Sequence, residues 1–190
     1  MKSDRRKDLK DFGEADFKAL ADGLNLPAYR GRQIAKWIFG KGVLTFEEMT
    51  DLPLDLRRTL EDGFFIGRLA LETAETSRDA TRKFLFRSPR DTPVESVLIP
   101  DGARRTLCVS TQAGCRMACG FCVTGALGLL DQLSAGDIAG QFIEVARETG
   151  ERITHVVLMG MGEPLDNYEN VARAVQTLVH PDWIGLSPRR

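Results

Sequence analysis

TLCVSTQAGCRMACGFCVTG, residues 106–125, starts as a strand and ends as a glycine-flanked loop, and its reading decides the fold. Thr106-Leu107-Cys108-Val109-Ser110 is a β-rich run without a breaker, so a strand delivers the chain straight to the cysteines. Cys115, Cys119 and Cys122 then fall within eight residues as C-x3-C-x2-C. Three thiolates on one short loop can each hold a corner of a [4Fe–4S] cluster and leave the fourth iron open for chemistry. Zinc sites usually present C-x2-C twice or with a histidine pair. Here only Cys108, His155 and His180 remain, and neither histidine has a second at i+3 to i+5. A disulfide framework is disfavoured, because the four cysteines of this 190-residue chain crowd between 108 and 122 and the N-terminal MKSDRRKDLKDF is no secretory leader. Cys119 and Cys122 alone match a C-x-x-C redox pair, which leaves Cys115 unexplained.

Downstream, Ser134-Ala135-Gly136-Asp137 has the pattern of a capping box, and Ile138, Phe142 and Val145 follow at helical spacing as far as Gly150. Ile153 to Met159 is an apolar run of strand length, expected as a buried parallel strand. Asn167 to Val179 carries Val171, Ala174, Val175, Leu178 and Val179 on one helical face, stopped by His180-Pro181. Strand, cysteine loop, helix, strand, glycine loop, helix is the order of an α/β sheet or β/α barrel, where chemistry gathers at the C-terminal ends of strands.

Upstream, the pattern changes twice. Residues 63–105 give short runs bounded by turn residues. With 106–110 they predict a three-strand antiparallel meander over 83–87, 94–99 and 106–110. Residues 1–62 predict a small helical domain: Phe17, Leu20 and Leu24 make one stripe, Ile34, Ala35 and Ile38 another, and 46–49 and 54–60 suggest further short helical turns. The expected organisation is therefore 1–62 helical, 63–105 strands and 106–190 an α/β core.

At 43% hydrophobic and 28% charged, with a formal net charge of −1, the composition is that of a globular cytoplasmic chain with no membrane span, and global charge is silent about partners. Arg30, Arg32, Lys36 and Lys41 around Trp37 offer a basic surface with a stacking aromatic, although a charge run on a helix is more often its wet face.

The second loop, Met159-Gly160-Met161-Gly162-Glu163-Pro164, begins like a dinucleotide fingerprint but has Pro164-Leu165 where the third glycine is approached. Its glycines let a ligand come close to the backbone, and Glu163 can accept hydrogen bonds from an ammonium group. Together with C-x3-C-x2-C, the loop resembles those of the radical S-adenosylmethionine enzymes. VESVLIP (94–100), residues 106–125, VVLMGMGEPLDNYENV (156–171) and PAYRGRQIAKWIF (27–39) narrow the resemblance to the dual-specificity ribosomal and transfer RNA adenine-C2 methyltransferases, the RlmN family. The adenine-C8 methyltransferase relative shares these motifs.

The resemblance implies a radical-enzyme partial (β/α) barrel preceded by the meander and an RNA-binding helical domain. It implies Cys115, Cys119 and Cys122 as cluster ligands, Gly162 and Glu163 at the S-adenosylmethionine amine, Glu95 as proton acceptor and Cys108 as a resolving thiol that forms a disulfide with a late, methyl-carrying cysteine. Implied partners are 23S rRNA, tRNA and a flavodoxin- or ferredoxin-type electron donor, with a monomeric complete enzyme. Read from the residues alone, Cys108 is a small hydrophobe on a strand and Glu95 a solvated strand position. Phe121 reads equally as cluster shielding or a contact to adenine, and His155 as a core or edge-strand histidine. The chain holds no cysteine after Cys122 and only two strand–helix units. It is therefore expected to be a fragment that exposes an apolar sheet edge and does not methylate RNA alone. The alternative of a different class is a non-catalytic iron–sulfur or zinc RNA-binding module.

Overall fold

The computed structural model describes residues 6–189. Lys7–Asp8 (β1) pairs in parallel with Phe64–Phe65 (β2), which closes the helical region on itself. Asp8 secures the closure: its Oδ1 accepts the backbone N–H groups of Lys10 and Gly67, both at 2.9 Å. Between them lie a 3-10 turn at Leu9–Asp11, α1 (Glu14–Gly23), α2 (Tyr29–Ala35) and α3 (Leu54–Gly63). A π-helical turn, Lys36–Gly40, extends α2, with the Lys41 N–H reaching back to the Lys36 carbonyl at 3.0 Å. Phe17, Leu20, Ile34, Ile38, Phe39, Met49 and Leu60 form the core that the stripes predicted. Residues 46–49 bury Phe46 and Met49 as expected but form turns and not a helix. The Glu48 carboxylate takes the Leu44 and Thr45 N–H groups, at 2.8 and 2.9 Å, and closes the segment locally.

β3 (Ala70–Thr76), β4 (Arg82–Arg87), β5 (Pro93–Asp101) and β6 (Arg104–Val109) form an antiparallel meander, and His155–Val157 pairs in parallel with β6 as β9, giving a five-stranded sheet of order β3-β4-β5-β6-β9. The meander thus has one strand more than the sequence pattern suggests. β3 reads ALETAET and is almost wholly exposed, so no alternation marks it. One face buries Phe84, Phe86, Val94, Leu98, Leu107 and Val109 under α5 (Ala135–Thr149) and α6 (Tyr168–Val179). The other, open face carries Lys83, Leu85, Glu95, Val97 and Cys108. The expected strand over 153–159 pairs only at 155–157 and is half-buried, not buried, because among the described residues β9 has a partner on one side alone. The fold class is mixed α/β.

The Ser134 capping box is present: Ser134 Oγ accepts the Asp137 N–H at 3.1 Å, and Asp137 Oδ2 accepts the Ser134 N–H at 3.2 Å. Two short strands that the sequence did not signal, β7 (Gln112–Gly114) and β8 (Leu129–Gln132), pair as an antiparallel frame around the cysteine loop, which contains the single turn α4 (Val123–Ala126). Trp183 returns to the helical core, stacked on Phe39 at 4.8 Å and His180 at 4.2 Å. Among the described residues no helix is long and apolar enough to cross a membrane.

Candidate functional site

Because β6 and β9 run parallel, both suspicious loops leave the sheet at the same end. They are stitched together there. The Val109 carbonyl accepts the Gly160 N–H at 3.1 Å, and the Met161 carbonyl accepts Thr111 and Gln112 N–H groups at 2.8 and 3.1 Å. Ser110 Oγ accepts the Met161 N–H at 2.9 Å and donates to the Glu95 carbonyl at 2.6 Å. The glycines serve this contact: a Cβ on Gly160 would lie 2.7 Å from the Val109 carbonyl oxygen, and one on Gly162, at φ +101°, 2.5 Å from Gln112 Cβ. The tight approach is thus of loop to strand.

Gln112, fully buried, is the hub. Its Oε1 accepts the Glu163 N–H at 2.9 Å, while its Nε2 donates to Gln132 Oε1 at 2.9 Å and Asp166 Oδ2 at 2.7 Å. Asn167 Nδ2 donates to the Thr111 and Leu133 carbonyls at 2.7 and 2.8 Å. Gln141 of α5 pins the end of β6, accepting the Ser110 N–H and donating to the Ser110 carbonyl, both at 2.8 Å. Glu163 Oε1 caps the following 3-10 turn, Pro164–Asn167, by accepting the Leu165 N–H at 3.1 Å.

On the cysteine loop, Cys115 is buried with its N–H on the Gly128 carbonyl at 2.9 Å, Cys119 is exposed and Cys122 half-buried. Cys119 and Cys122 are joined by a backbone turn, Cys122 N–H to the Cys119 carbonyl at 3.0 Å. No three His, Cys, Asp or Glu side chains among the described residues gather as a site for one metal ion. A [4Fe–4S] cluster asks for something else, three soft thiolates each on a separate iron, and residues 115–122 offer three thiols with no harder ligand among them. Phe121, 93% exposed, and Val123, 81% exposed, flank Cys122 in the sequence and face solvent. The donor set fits.

Cys108 and Glu95 lie on the open face of neighbouring strands, Cys108 opposite Val97. Burial pushes the Cys108 thiol up, and the Glu95 charge adds to the shift. Glu95 is not merely solvated: Lys83 Nζ stands 3.7 Å from its Oε2. No disulfide is present, and the chain has no cysteine after Cys122 to serve as the partner that the resemblance implies for Cys108. All four cysteines are free, and the only other thiols in the chain sit on the cysteine loop.

Residues 7–66 match the family described as the ribosomal RNA large subunit methyltransferase N-terminal domain. The dual-specificity RNA methyltransferase RlmN of Geobacter sulfurreducens is 45% identical over 183 residues, covering 96% of this chain and 50% of that protein. Its namesake in Syntrophotalea carbinolica is 42% identical over 191 residues, covering 100% and 51%. A crystal structure of a radical SAM methyltransferase from Sphaerobacter thermophilus superposes with a TM-score of 0.87 at 35% identity, over 97% of this chain and 55% of that one.

Over 96% of its length this chain is similar to an RlmN methyltransferase, and residues 7–66 match the N-terminal domain of that family. The chain spans about half the length of the curated RlmN relatives it matches. Within the RlmN N-terminal match, Arg32, Lys36 and Lys41 are exposed and Arg30 half-buried. Trp37 is not a free stacking platform. Its ring is half-buried under Lys41 Nζ, 3.2 Å from the centroid, and its Nε1 donates to Asp51 Oδ1. The exposed aromatic is Tyr29, 49% accessible, with the Arg30 guanidinium 5.0 Å from its ring. Gln112, Gln141, Asp166 and Asn167 escaped the sequence reading. Gln141 alone left a signal, a polar residue inside the apolar stripe of α5.

Proposed function

We propose that this chain carries the cluster loop and the S-adenosylmethionine segment of a radical methyltransferase for C2 of adenine in 23S rRNA and tRNA, a cytoplasmic monomer served by a flavodoxin- or ferredoxin-type electron donor. The observation that supports it best is the stitching of residues 109–112, which lead into the cysteine loop, to Gly160–Glu163 at one end of the sheet. In this reading residues 1–62 are the RNA-binding accessory domain, 63–105 a strand extension, and 106–190 part of the radical core, with β6–α5 and β9–α6 as strand–helix units of a partial (β/α) barrel.

Cys115, Cys119 and Cys122 hold the [4Fe–4S] cluster, which when bound supplies the electron that cleaves S-adenosylmethionine. Gly162 keeps its loop against Gln112, and the Glu163 carboxylate accepts hydrogen bonds from the methionine amine. Adenine C2–H is neither acidic nor nucleophilic, so a radical route is required and the protein's part is placement and proton handling. Glu95, paired with Lys83, accepts a proton. Cys108, kept as the thiol by burial until it gives up its proton, attacks the sulfur of a methyl-carrying cysteine supplied from outside these residues, so that the S–S bond forms as the sulfur–carbon bond to the base breaks and the carbon takes that electron pair with a proton. The isolated chain is accordingly expected to bind a cluster poorly and not to methylate RNA.

Anaerobic reconstitution with iron and sulfide tests the ligand assignment. Up to about four irons per chain are expected, lost in Cys115→Ala, Cys119→Ala and Cys122→Ala and retained in Cys108→Ala. Retention of iron by all three loop variants, or its loss only in Cys108→Ala, contradicts the assignment.

A further inference from the structure

The cysteine loop is also tied to the segment after β9 by a side-chain latch. Asp166, three residues past Glu163, accepts at Oδ2 from Arg116 Nε at 2.8 Å and Gln112 Nε2 at 2.7 Å, with Gln132 Nε2 at 3.5 Å. Its backbone carbonyl accepts from Gln132 Nε2 at 3.0 Å. Arg116 is the only charged residue between Cys115 and Cys122. One carboxylate therefore gathers the cysteine loop through Arg116, the strand leading into it through Gln112 and the strand leading out through Gln132. Gln112 hands the same linkage to the Glu163 N–H at 2.9 Å. The Arg116 bond pairs two charged groups, with the Arg116 side chain 55% exposed, and the amide bonds to the same carboxylate are charge-assisted as well. The backbone bonds of Thr111 and Gln112 to Met161 hold the two strand ends with or without it, so the latch governs the loop and not the sheet.

We propose that Asp166 is a positioning residue that, through Arg116 and Gln112, holds the cysteine loop and the Gly162–Glu163 segment in one arrangement, so that an amino-acid ligand engages both at once. The proposal rests on the cofactor reading above and adds to it the groups that set the geometry between the two halves of the site. Asp166 and Arg116 touch neither cofactor in this scheme. Their effect is on affinity for the ligand that spans the halves.

The test compares the wild-type chain with Asp166→Ala, Arg116→Met and the exchanged pair Arg116→Asp/Asp166→Arg. In the metal-free chain, amide exchange over residues 116–122 is expected to quicken about tenfold in the two single variants, with α5 unchanged. After reconstitution, iron per chain and Tm are expected to stay at the wild-type level. S-adenosylmethionine affinity, followed by the change in the cluster's electron paramagnetic resonance signal, is expected to weaken about tenfold and to recover in part in the exchanged pair. Unchanged loop exchange and affinity within about twofold of wild type overturn the proposal. So does a parallel fall of iron, affinity and Tm, which marks a purely structural role. A wild-type chain that takes up no cluster overturns the cofactor reading itself, while the loop-exchange result still stands for or against the latch.

Discussion

At position 162 the backbone adopts φ +101° and a side chain would meet Gln112 at 2.5 Å, so both conformation and space demand glycine. Gly162→Ala is expected to push Glu163 out of register and weaken S-adenosylmethionine binding about tenfold or more, while iron uptake stays normal; equilibrium binding and iron analysis read the two separately. Cys108 offers a second residue-scale test. Burial is the main cause of its raised pKa and the Glu95 charge a lesser one, so Glu95→Gln should lower the thiol pKa and speed its alkylation at pH 8, read by peptide mass spectrometry. Unchanged or slower alkylation would show that Glu95 does not act on the thiol. The cysteines and Glu163 were legible in sequence because their chemistry needs particular residue types at short spacing. Gln112 and Asp166 were not, because their hydrogen bond joins residues 54 positions apart and leaves no period in the chain.

At the scale of elements, β1 and the turn after it dock the helical region on α5 through buried charge. Burial raises the Asp8 carboxyl from 3.8 to about 6. The folded state therefore binds this proton more tightly than the unfolded state, and its contribution to stability, full below about pH 4, is lost as pH rises through about 6. Asp8→Asn keeps the Oδ1 acceptor without the charge. It should match wild type near pH 4 and exceed it by up to about 2–3 kcal/mol above pH 7, seen as a higher Tm in thermal denaturation across that range. Close by, Lys10 Nζ and Glu144 Oε1 stand 3.7 Å apart, both side chains almost fully buried, and Arg147 pairs with the other Glu144 oxygen. Glu144→Ala leaves Lys10 buried without its nearest counter-charge and is expected to cost about 3–5 kcal/mol in urea unfolding. None of this pairing was readable beforehand, since Lys10 lies in a charged N-terminal run that looks solvated. Elements whose burial follows a period, α1, α5, α6 and β4 to β6, were legible. β3 was not, because an exposed edge strand needs no apolar face.

At the scale of the molecule, two hydrophobic cores divide the work. One is helical and is closed by Trp183; the other lies between the sheet and α5–α6. Trp183→Ala should cost about 3–5 kcal/mol and melt the helical core first, seen as early loss of protection over residues 14–60 in hydrogen exchange. The sheet turns its open face, with Glu95 and Cys108, away from those helices. Its parallel pair, β6 and β9, brings the three thiols and the Gly160–Glu163 loop to one end. The reduced, reconstituted chain puts that convergence to the test. Its cluster signal in electron paramagnetic resonance should shift when S-adenosylmethionine is added, and the shift should vanish in Cys119→Ala. A chain that binds one zinc in place of about four irons, or whose cluster signal ignores S-adenosylmethionine, would contradict it.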